Sequence, residues 1–248
     1  IDGANFNLNN NNYSFFIKLL NNNFKDIKFE ILNSNIFYRN LQNEVLYINN
    51  IINAKYIYDL NESKNVLYSQ NKIFNLPYSI ELTHNVDLKK LSSKIKIESL
   101  DLQIENQFLN GEKYNTGLSE FNFLNLKSVA EYKTNKDYFE FKLFNEAQKS
   151  KFNYNGKLNF RPFHSYFEVS TFEINFAHLF STNGIIKQLL KSEILNNRNI
   201  DFKLNIYANK IKNLENFENI TLKSKIQEGL VDLDKTKFSW KNYVNFSL

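Results

Sequence analysis

The sequence contains no cysteine and no methionine, and it has only two prolines and six glycines among 248 residues. Without cysteine, neither a disulfide framework nor thiolate chemistry is available. The few glycines form none of the Gly-rich loops that bind phosphates or dinucleotides. No apolar run approaches the roughly 18 residues that a membrane-spanning helix needs. Because methionine is absent and residue 1 is isoleucine, we expect a piece of a longer protein, with any targeting segment upstream.

Residues that commonly carry chemistry are sparse and scattered. His84, His164 and His178 lie far apart, with no carboxylate at ligand spacing, whereas a metal site needs convergent ligands. No G-x-S-x-G segment presents a nucleophile, and the carboxylates alternate with apolar residues, so we expect them to face water. The sequence therefore predicts a protein that is not an enzyme and that needs no cofactor and no metal.

The charge balance argues against nucleic acid as a partner. Lys and Arg number 31 against 26 Asp and Glu, which gives a net charge of +5. The positive residues alternate with Asn, Glu and Asp instead of clustering, as is typical of a solvated face. A weak attraction to anionic lipid headgroups remains open.

Alternation of apolar and polar residues is the main structural signal. It is clear at Tyr78–Leu82 and at Phe139–Leu143, and 24 Phe and 14 Tyr supply much of the apolar set. This period-2 pattern predicts a mainly β fold, one mostly antiparallel sheet with one buried face. The phase slips between Ile97 and Leu100, which predicts a turn or bulge near Ser99. With so few glycines, we expect asparagine to occupy the turns.

One segment has helical spacing instead. Apolar residues between Gly184 and Leu195 predict a helix, with Thr182 or Asn183 as its cap. We expect four of its side chains to pack over the sheet, plugging or lining a trough: Ile186, Leu189, Leu190 and Ile194. The alternative is a helix that caps a core edge. Asn110-Gly111 predicts a hairpin, whereas Asn155-Gly156 fits either a hairpin or a straight strand.

The aromatic and aliphatic strand positions have two interpretations. They can form the closed core between two sheets, which periodicity alone favours, or the floor of an open trough that contacts acyl chains. Under the second interpretation, the positions of common parity share one concave, lipid-facing surface: Phe139, Phe141, Leu143, Phe152, Tyr154, Leu158, Phe160, Phe202, Leu204 and Ile206.

Several segments resemble a known family. These are NLPYSIELTH (75–84), KIKIESLDLQIEN (94–106), GLSEFNFLNLKSVAEYKTNKDYFEFKLFN (117–145), YNGKLNFRPFHSYFEVS (154–170) and IQEGLVDLDKTKFSWKNYVNFSL (226–248). Together they resemble the AsmA-like family of Gram-negative envelope proteins, over residues 73–248 and more weakly over 1–72. The resemblance implies that 1–248 is a single segment of a longer periplasmic region. Its sheet would be elongated, twisted and curled into a trough, with an inner-membrane anchor on an N-terminal segment outside this chain.

The same resemblance implies a function. AsmA-like proteins are linked to phospholipid transport or homeostasis between the inner and outer membranes and to outer-membrane assembly. The implied partners are phospholipid acyl chains, with inner- and outer-membrane proteins as further candidates. No catalytic residue is carried over. The alternative is a structural β-sandwich that binds a protein partner by strand addition.

Overall fold

A computed structural model describes most of the chain, namely residues 1–9, 12, 28–40, 42–85, 90–109, 115–123, 126–135, 137–144, 152–160, 163–175, 185–195, 197–198, 201–228, 230–233, 235–241 and 243–247. Strands make up 77% of these residues. All the described strands belong to one mixed, mostly antiparallel sheet. The predicted mainly β fold is confirmed.

The seventeen strands are numbered in chain order. They are β1 (Asn5–Leu8), β2 (Phe29–Arg39), β3 (Val45–Asp59), β4 (Lys64–Ile73), β5 (Leu76–Asn85), β6 (Lys90–Ile97), β7 (Leu102–Leu109), β8 (Asn115–Phe123), β9 (Leu126–Thr134), β10 (Tyr138–Leu143), β11 (Phe152–Phe160), β12 (Phe163–Ile174), β13 (Asp201–Ile211), β14 (Leu214–Gln227), β15 (Leu230–Asp232), β16 (Lys237–Trp240) and β17 (Val244–Ser247). Among the described residues there is one α-helix, α1 (Ile185–Lys191), between β12 and β13.

The chain divides into two compact units. Unit 1 comprises Ile1–Leu109 and Ser119–Lys127, and unit 2 comprises Asn110–Leu118 and Ser128–Leu248. This division leaves untested the prediction that the chain is a single segment of a longer region.

Unit 1 is a series of strands that pair with their neighbours in sequence. Antiparallel pairings run from β2 to β7, and the short β1 pairs in parallel with β2. The phase slip near Ser99 has the predicted cause. A 3₁₀ turn over Glu98–Leu100 and a left-handed Asp101 (φ 46°) reverse the chain, so that Ile97 pairs with Leu102.

Asparagine occupies several turns, as predicted. Among the described residues, eleven that are not glycine have positive φ, and five of these are asparagine. Asn43, Asn75 and Asn213 lie in turns between strands, whereas Asn33 and Asn219 lie inside β2 and β14. The tight turn between β4 and β5 uses two such residues in succession, Phe74 (φ 49°) and Asn75 (φ 63°). Positive φ at both central positions matches the twist of the strands that such a turn joins.

Unit 2 contains one parallel pairing among its described strands. β9, β10, β11 and β12 pair antiparallel in sequence order, and β13 then pairs in parallel with β12. β14 pairs antiparallel with β13, β15 and β16, and β17 pairs antiparallel with β16. Asn155-Gly156 lies inside the straight strand β11, so it is not a hairpin. A core cluster forms at the end of the β12–β14 ladder: Ala208, Ile211 and Ile220, packed by Ile174, Phe217 and Phe238.

The helix is shorter than predicted. It ends at Lys191, and its last backbone bond runs from the Ser192 amide to the Gln188 carbonyl (3.0 Å). The Ser192 hydroxyl then accepts a hydrogen bond from the backbone amide of Ile194 (3.4 Å). This local bond competes with continuation of the helix. The prediction that the helix reaches Leu195 is therefore wrong at this end. No helix in the described ranges is long and apolar enough to span a bilayer.

Candidate functional site

Strand register places the predicted groove residues on one face of unit 2. Phe139 lies opposite Leu158, Tyr154 opposite Val169, and Val169 beside Ile206. Because directly opposed residues share a face, the following side chains line one side of β9–β14, named here the apolar face: Tyr132, Phe139, Phe141, Leu143, Tyr154, Leu158, Phe167, Val169, Phe202, Leu204, Ile206, Leu222 and Ile226. Phe152 and Phe160 occupy matching backbone positions in β11, but their side chains lie outside the described residues.

Five aromatic rings cross this face in an unbroken series, named here the aromatic row. The ring of Tyr132 lies 5.6 Å from Phe139, which lies 5.8 Å from Phe141. Phe141 lies 5.6 Å from Phe167, and Phe167 lies 5.4 Å from Phe202. All four separations fall in the favourable range for aromatic pairs. The row joins β9, β10, β12 and β13.

The row passes over β11 because that strand has glycine at the crossing point. Gly156 lies opposite Phe141 on one side and Phe167 on the other. A Cβ added to Gly156 would stand 2.5 Å from Phe141 Cζ and 2.9 Å from Phe167 Cδ1. The two rings therefore fill the space that a side chain would take, as aromatic residues commonly do over a strand glycine.

The apolar face is only partly buried. Four of its side chains are buried, namely Tyr132, Leu143, Tyr154 and Ile226. The others are half-buried, among them Phe139, Phe141, Leu158, Phe202, Leu204 and Ile206. Every described strand belongs to a single sheet, so the described strands supply no second sheet to cover this face. A contiguous apolar surface of this kind is a frequent mark of a binding groove.

The opposite face of the same strands is polar. Lys142 forms an ion pair with Glu131 (3.2 Å), and the ammonium of Lys157 lies 4.7 Å from the ring of Tyr138. On β12, the Tyr166 hydroxyl donates to Glu168 (2.6 Å). Charge on one side and hydrocarbon on the other make this part of the sheet amphipathic.

Tyrosines on the apolar face stay uncharged near neutral pH. Burial raises the pKa of Tyr132 to about 12. Burial also raises the pKa of Tyr154, and the hydrogen bond that its hydroxyl donates to Ser128 (3.0 Å) offsets part of that rise. Neither hydroxyl therefore introduces a charge among the hydrocarbon groups.

Within unit 1, one face of the strands contains buried polar side chains that the apolar pattern missed. Ser93, Asn106 and Ser119 are buried and bonded across neighbouring strands. Asn106 Nδ2 donates to Ser93 Oγ (3.1 Å), and Ser119 Oγ donates to Asn106 Oδ1. Extending the alternation Leu91, Ser93, Ile95 would have placed Ser93 on this face.

A second polar group lies on β3, β4 and β5. The Tyr78 hydroxyl donates to Asn49 (2.8 Å), Asn49 donates to Asn71 (3.4 Å), and Ser69 donates to Asn71 (2.9 Å). These neutral groups satisfy one another, so the face is uncharged but not uniformly apolar. We therefore restrict the candidate site to unit 2.

The predicted plug residues are placed unevenly. Leu190 is 67% exposed, so the prediction that it packs over the sheet is wrong. Its position near the end of a two-turn helix leaves it directed to solvent. Ile194 lies beyond the helix and is half-buried. The side chains of Ile186 and Leu189 lie outside the described residues.

No group of three or more His, Asp or Glu side chains in the described ranges could hold a metal ion.

Comparisons with known proteins give no support for any family. No protein-family model matches the chain, and neither a curated protein nor a solved structure matches it.

Proposed function

We propose that the chain is a non-catalytic segment of a bacterial envelope protein that holds phospholipid acyl chains against the apolar face of unit 2. Its role would be phospholipid transport or homeostasis between the inner and outer membranes, with effects on outer-membrane assembly. It would act in the periplasm, anchored to the inner membrane by a segment outside this chain. One observation carries the proposal: six neighbouring strands present a half-buried apolar face that no second sheet among the described strands covers.

The energetics favour a hydrocarbon ligand on this face. Exposing a 16-carbon chain to water costs on the order of 12 kcal/mol, at about 0.8 kcal/mol per CH₂. A continuous apolar surface removes much of this cost, whereas one unpaired charge restores part of it. The charged residues of β9–β12 described above lie on the other face, so they do not interrupt the path.

The dimensions also fit. The aromatic row crosses four strand-to-strand steps from β9 to β13, which is about 19 Å at about 4.8 Å per step. One leaflet of the hydrocarbon core is about 15 Å thick, half of the about 30 Å of the bilayer. An acyl chain that lies along the aromatic row can therefore contact it over most of the length of the acyl chain.

A structural module that binds a protein partner by strand addition is the competing proposal. It requires no ligand on the apolar face, so the two proposals separate on whether that face holds lipid. The single sheet of the described strands gives less support to the two-sheet sandwich that this alternative assumed.

Leu158→Lys tests the proposal, with Asn159→Lys as the matched control on the next residue and the opposite face. Leu158 is half-buried between Phe139 and Ser165. In an open site the lysine can extend its amine to water, so the fold survives while the apolar path is interrupted. We expect mass spectrometry of the purified protein to find phospholipid on the parent chain and the control but not on Leu158→Lys.

Two results would count against the proposal. The first is a parent protein that carries no phospholipid after purification from a Gram-negative host. The second is unfolding of Leu158→Lys while Asn159→Lys stays folded, because burial of an unpartnered ammonium is costly only in a closed core.

A further inference from the structure

The hairpin formed by β16 and β17 exposes an unusual number of large apolar side chains. Tyr243 at its turn is 83% exposed, and Trp240, Val244 and Phe246 are 38%, 41% and 45% exposed. Soluble surfaces carry single exposed hydrophobic residues routinely, but four within one short hairpin form a patch that calls for a partner.

The patch is continuous with the core of unit 2. Phe238 packs against the core cluster and stacks on Phe246, with ring centroids 4.8 Å apart. Phe238 lies opposite Phe246, and Trp240, two residues later, lies opposite Val244. These four side chains therefore share one face of the hairpin. Packing of Phe238 fixes the hairpin and thereby holds Trp240 and Phe246 at the surface.

Positive charge accompanies these apolar residues. The segment 235–247 contains Lys235, Lys237 and Lys241 and no acidic residue. The ammonium of Lys241 lies 5.4 Å from the ring of Trp240. By strand alternation, Lys237 lies on the same face as Ser239 and its β14 partner Glu218, away from Trp240. Lys241 is therefore the cation that lies beside the exposed rings.

We propose that this hairpin docks unit 2 onto the surface of a bilayer that contains anionic phospholipid. Tryptophan and tyrosine favour the headgroup level of a membrane because their rings are amphipathic, and lysines close to the surface add attraction to anionic lipids. The inference goes beyond the proposed function and does not require that the apolar face hold an acyl chain.

Composition favours a membrane over a protein partner. Protein interfaces concentrate aromatic residues but exclude lysine from their centres. Here Lys241 lies against Trp240 itself and next to the turn that presents Tyr243. Lysine beside exposed aromatic rings fits a headgroup layer, where the ring enters and the ammonium stays with the phosphates.

Trp240 provides a direct measurement, since it is the only tryptophan in the sequence. The full chain is titrated with vesicles of phosphatidylcholine alone and of phosphatidylcholine mixed with phosphatidylglycerol. We expect Trp240 emission to shift to shorter wavelength with the mixed vesicles, and less with phosphatidylcholine alone. Added salt should reverse most of this difference, because it screens exposed charges.

Variants that keep the tryptophan identify the surface responsible. Tyr243→Ser with Val244→Ser should weaken cosedimentation with the mixed vesicles by about tenfold or more, because two apolar side chains are lost from the exposed patch. Lys241→Gln should reduce the preference for phosphatidylglycerol, because Lys241 is the cation beside Trp240. Phe172→Ser is the matched control, because Phe172 is 50% exposed and lies 5.8 Å from the ammonium of Lys210.

Three outcomes would overturn the inference. The first is an emission spectrum that vesicles do not change, and the second is equal loss of binding in Phe172→Ser. The third is a shift that follows protein concentration without vesicles, which would mean that a second copy covers the patch. Leu158→Lys separates the two proposals: vesicle docking should persist in this variant even where the acyl-chain site is lost.

Discussion

The rings of Phe141 and Phe167 meet across Gly156, with centroids 5.6 Å apart, although they belong to strands that do not pair with each other. Glycine inside a strand normally costs about 0.5–1 kcal/mol relative to alanine. Here the glycine is what allows the two strands on either side of β11 to share one aromatic contact.

Gly156→Ala should therefore destabilise the protein, contrary to the usual effect of this substitution. The new methyl group would overlap Phe141 and Phe167, and overpacking of this kind costs about 1–3 kcal/mol. In a Phe141→Leu background most of the penalty should vanish, which urea unfolding of the four proteins of the double-mutant cycle would measure. An equal cost in both backgrounds would mean that the ring contact is not the cause.

Substitution of Asn106 tests whether the polar side chains of unit 1 depend on one another. Asn106→Leu removes the hydrogen-bond partner of two buried hydroxyls, Ser93 and Ser119, at about 1–3 kcal/mol for each group left unsatisfied. The triple variant Ser93→Ala, Asn106→Leu, Ser119→Ala should recover most of this loss. Thermal unfolding checks both expectations, and a triple variant no more stable than Asn106→Leu would contradict them.

Alkaline pH should weaken the fold through its buried tyrosines. Burial raises the pKa of Tyr132 to about 12 in the folded protein, whereas it is about 10 in an unfolded chain. The folded state therefore holds this proton more tightly. Its contribution to stability is complete below pH 10 and is lost as the pH rises toward about 12.

Tyr132→Phe should reduce the slope of the melting temperature against pH in that range. Tyr243→Phe, at an exposed position, serves as the control and should keep the slope of the parent. Identical slopes for Tyr132→Phe and the parent would show that Tyr132 does not contribute to the alkaline transition.

We expect Leu190 of α1 to contribute little to the free energy of unfolding. Because this side chain is 67% exposed, Leu190→Ala should change the free energy of unfolding by about 0.5 kcal/mol or less. Ile220→Ala, in the core cluster, should cost roughly 2–5 kcal/mol. Urea unfolding compares the two, and a large loss in Leu190→Ala would restore the prediction that this residue packs on the sheet.

The faces of the strands could be predicted because strand periodicity is local. Once Phe139 and Leu158 are each placed on the apolar side of their own strands, any antiparallel pairing in register brings them to the same face. This reasoning needs no knowledge of which strands are neighbours. It therefore identified the candidate face without identifying the parallel join between β12 and β13.

Features that depend on competition between local and distant contacts were not predictable in the same way. Apolar spacing extended the helix to Leu195, but the Ser192 hydroxyl competes for the backbone after Lys191. Ser93 and Asn106 carry no apolar signal, and their burial is tolerable because they bond to each other and Asn106 also accepts from Ser119. The ring contact over Gly156 likewise depends on residues from three strands.

The parallel pairing of β12 with β13 has a consequence for how the protein folds. Strands from β9 to β12 can join one at a time through short connections, which keeps loop-closure entropy low. β13 must instead return along the whole length of β12, after a connection that contains α1. Pairing of this non-local kind is slow to form. We expect β13–β17 to acquire protection from hydrogen exchange later than β9–β12, as a separate cooperative step in refolding.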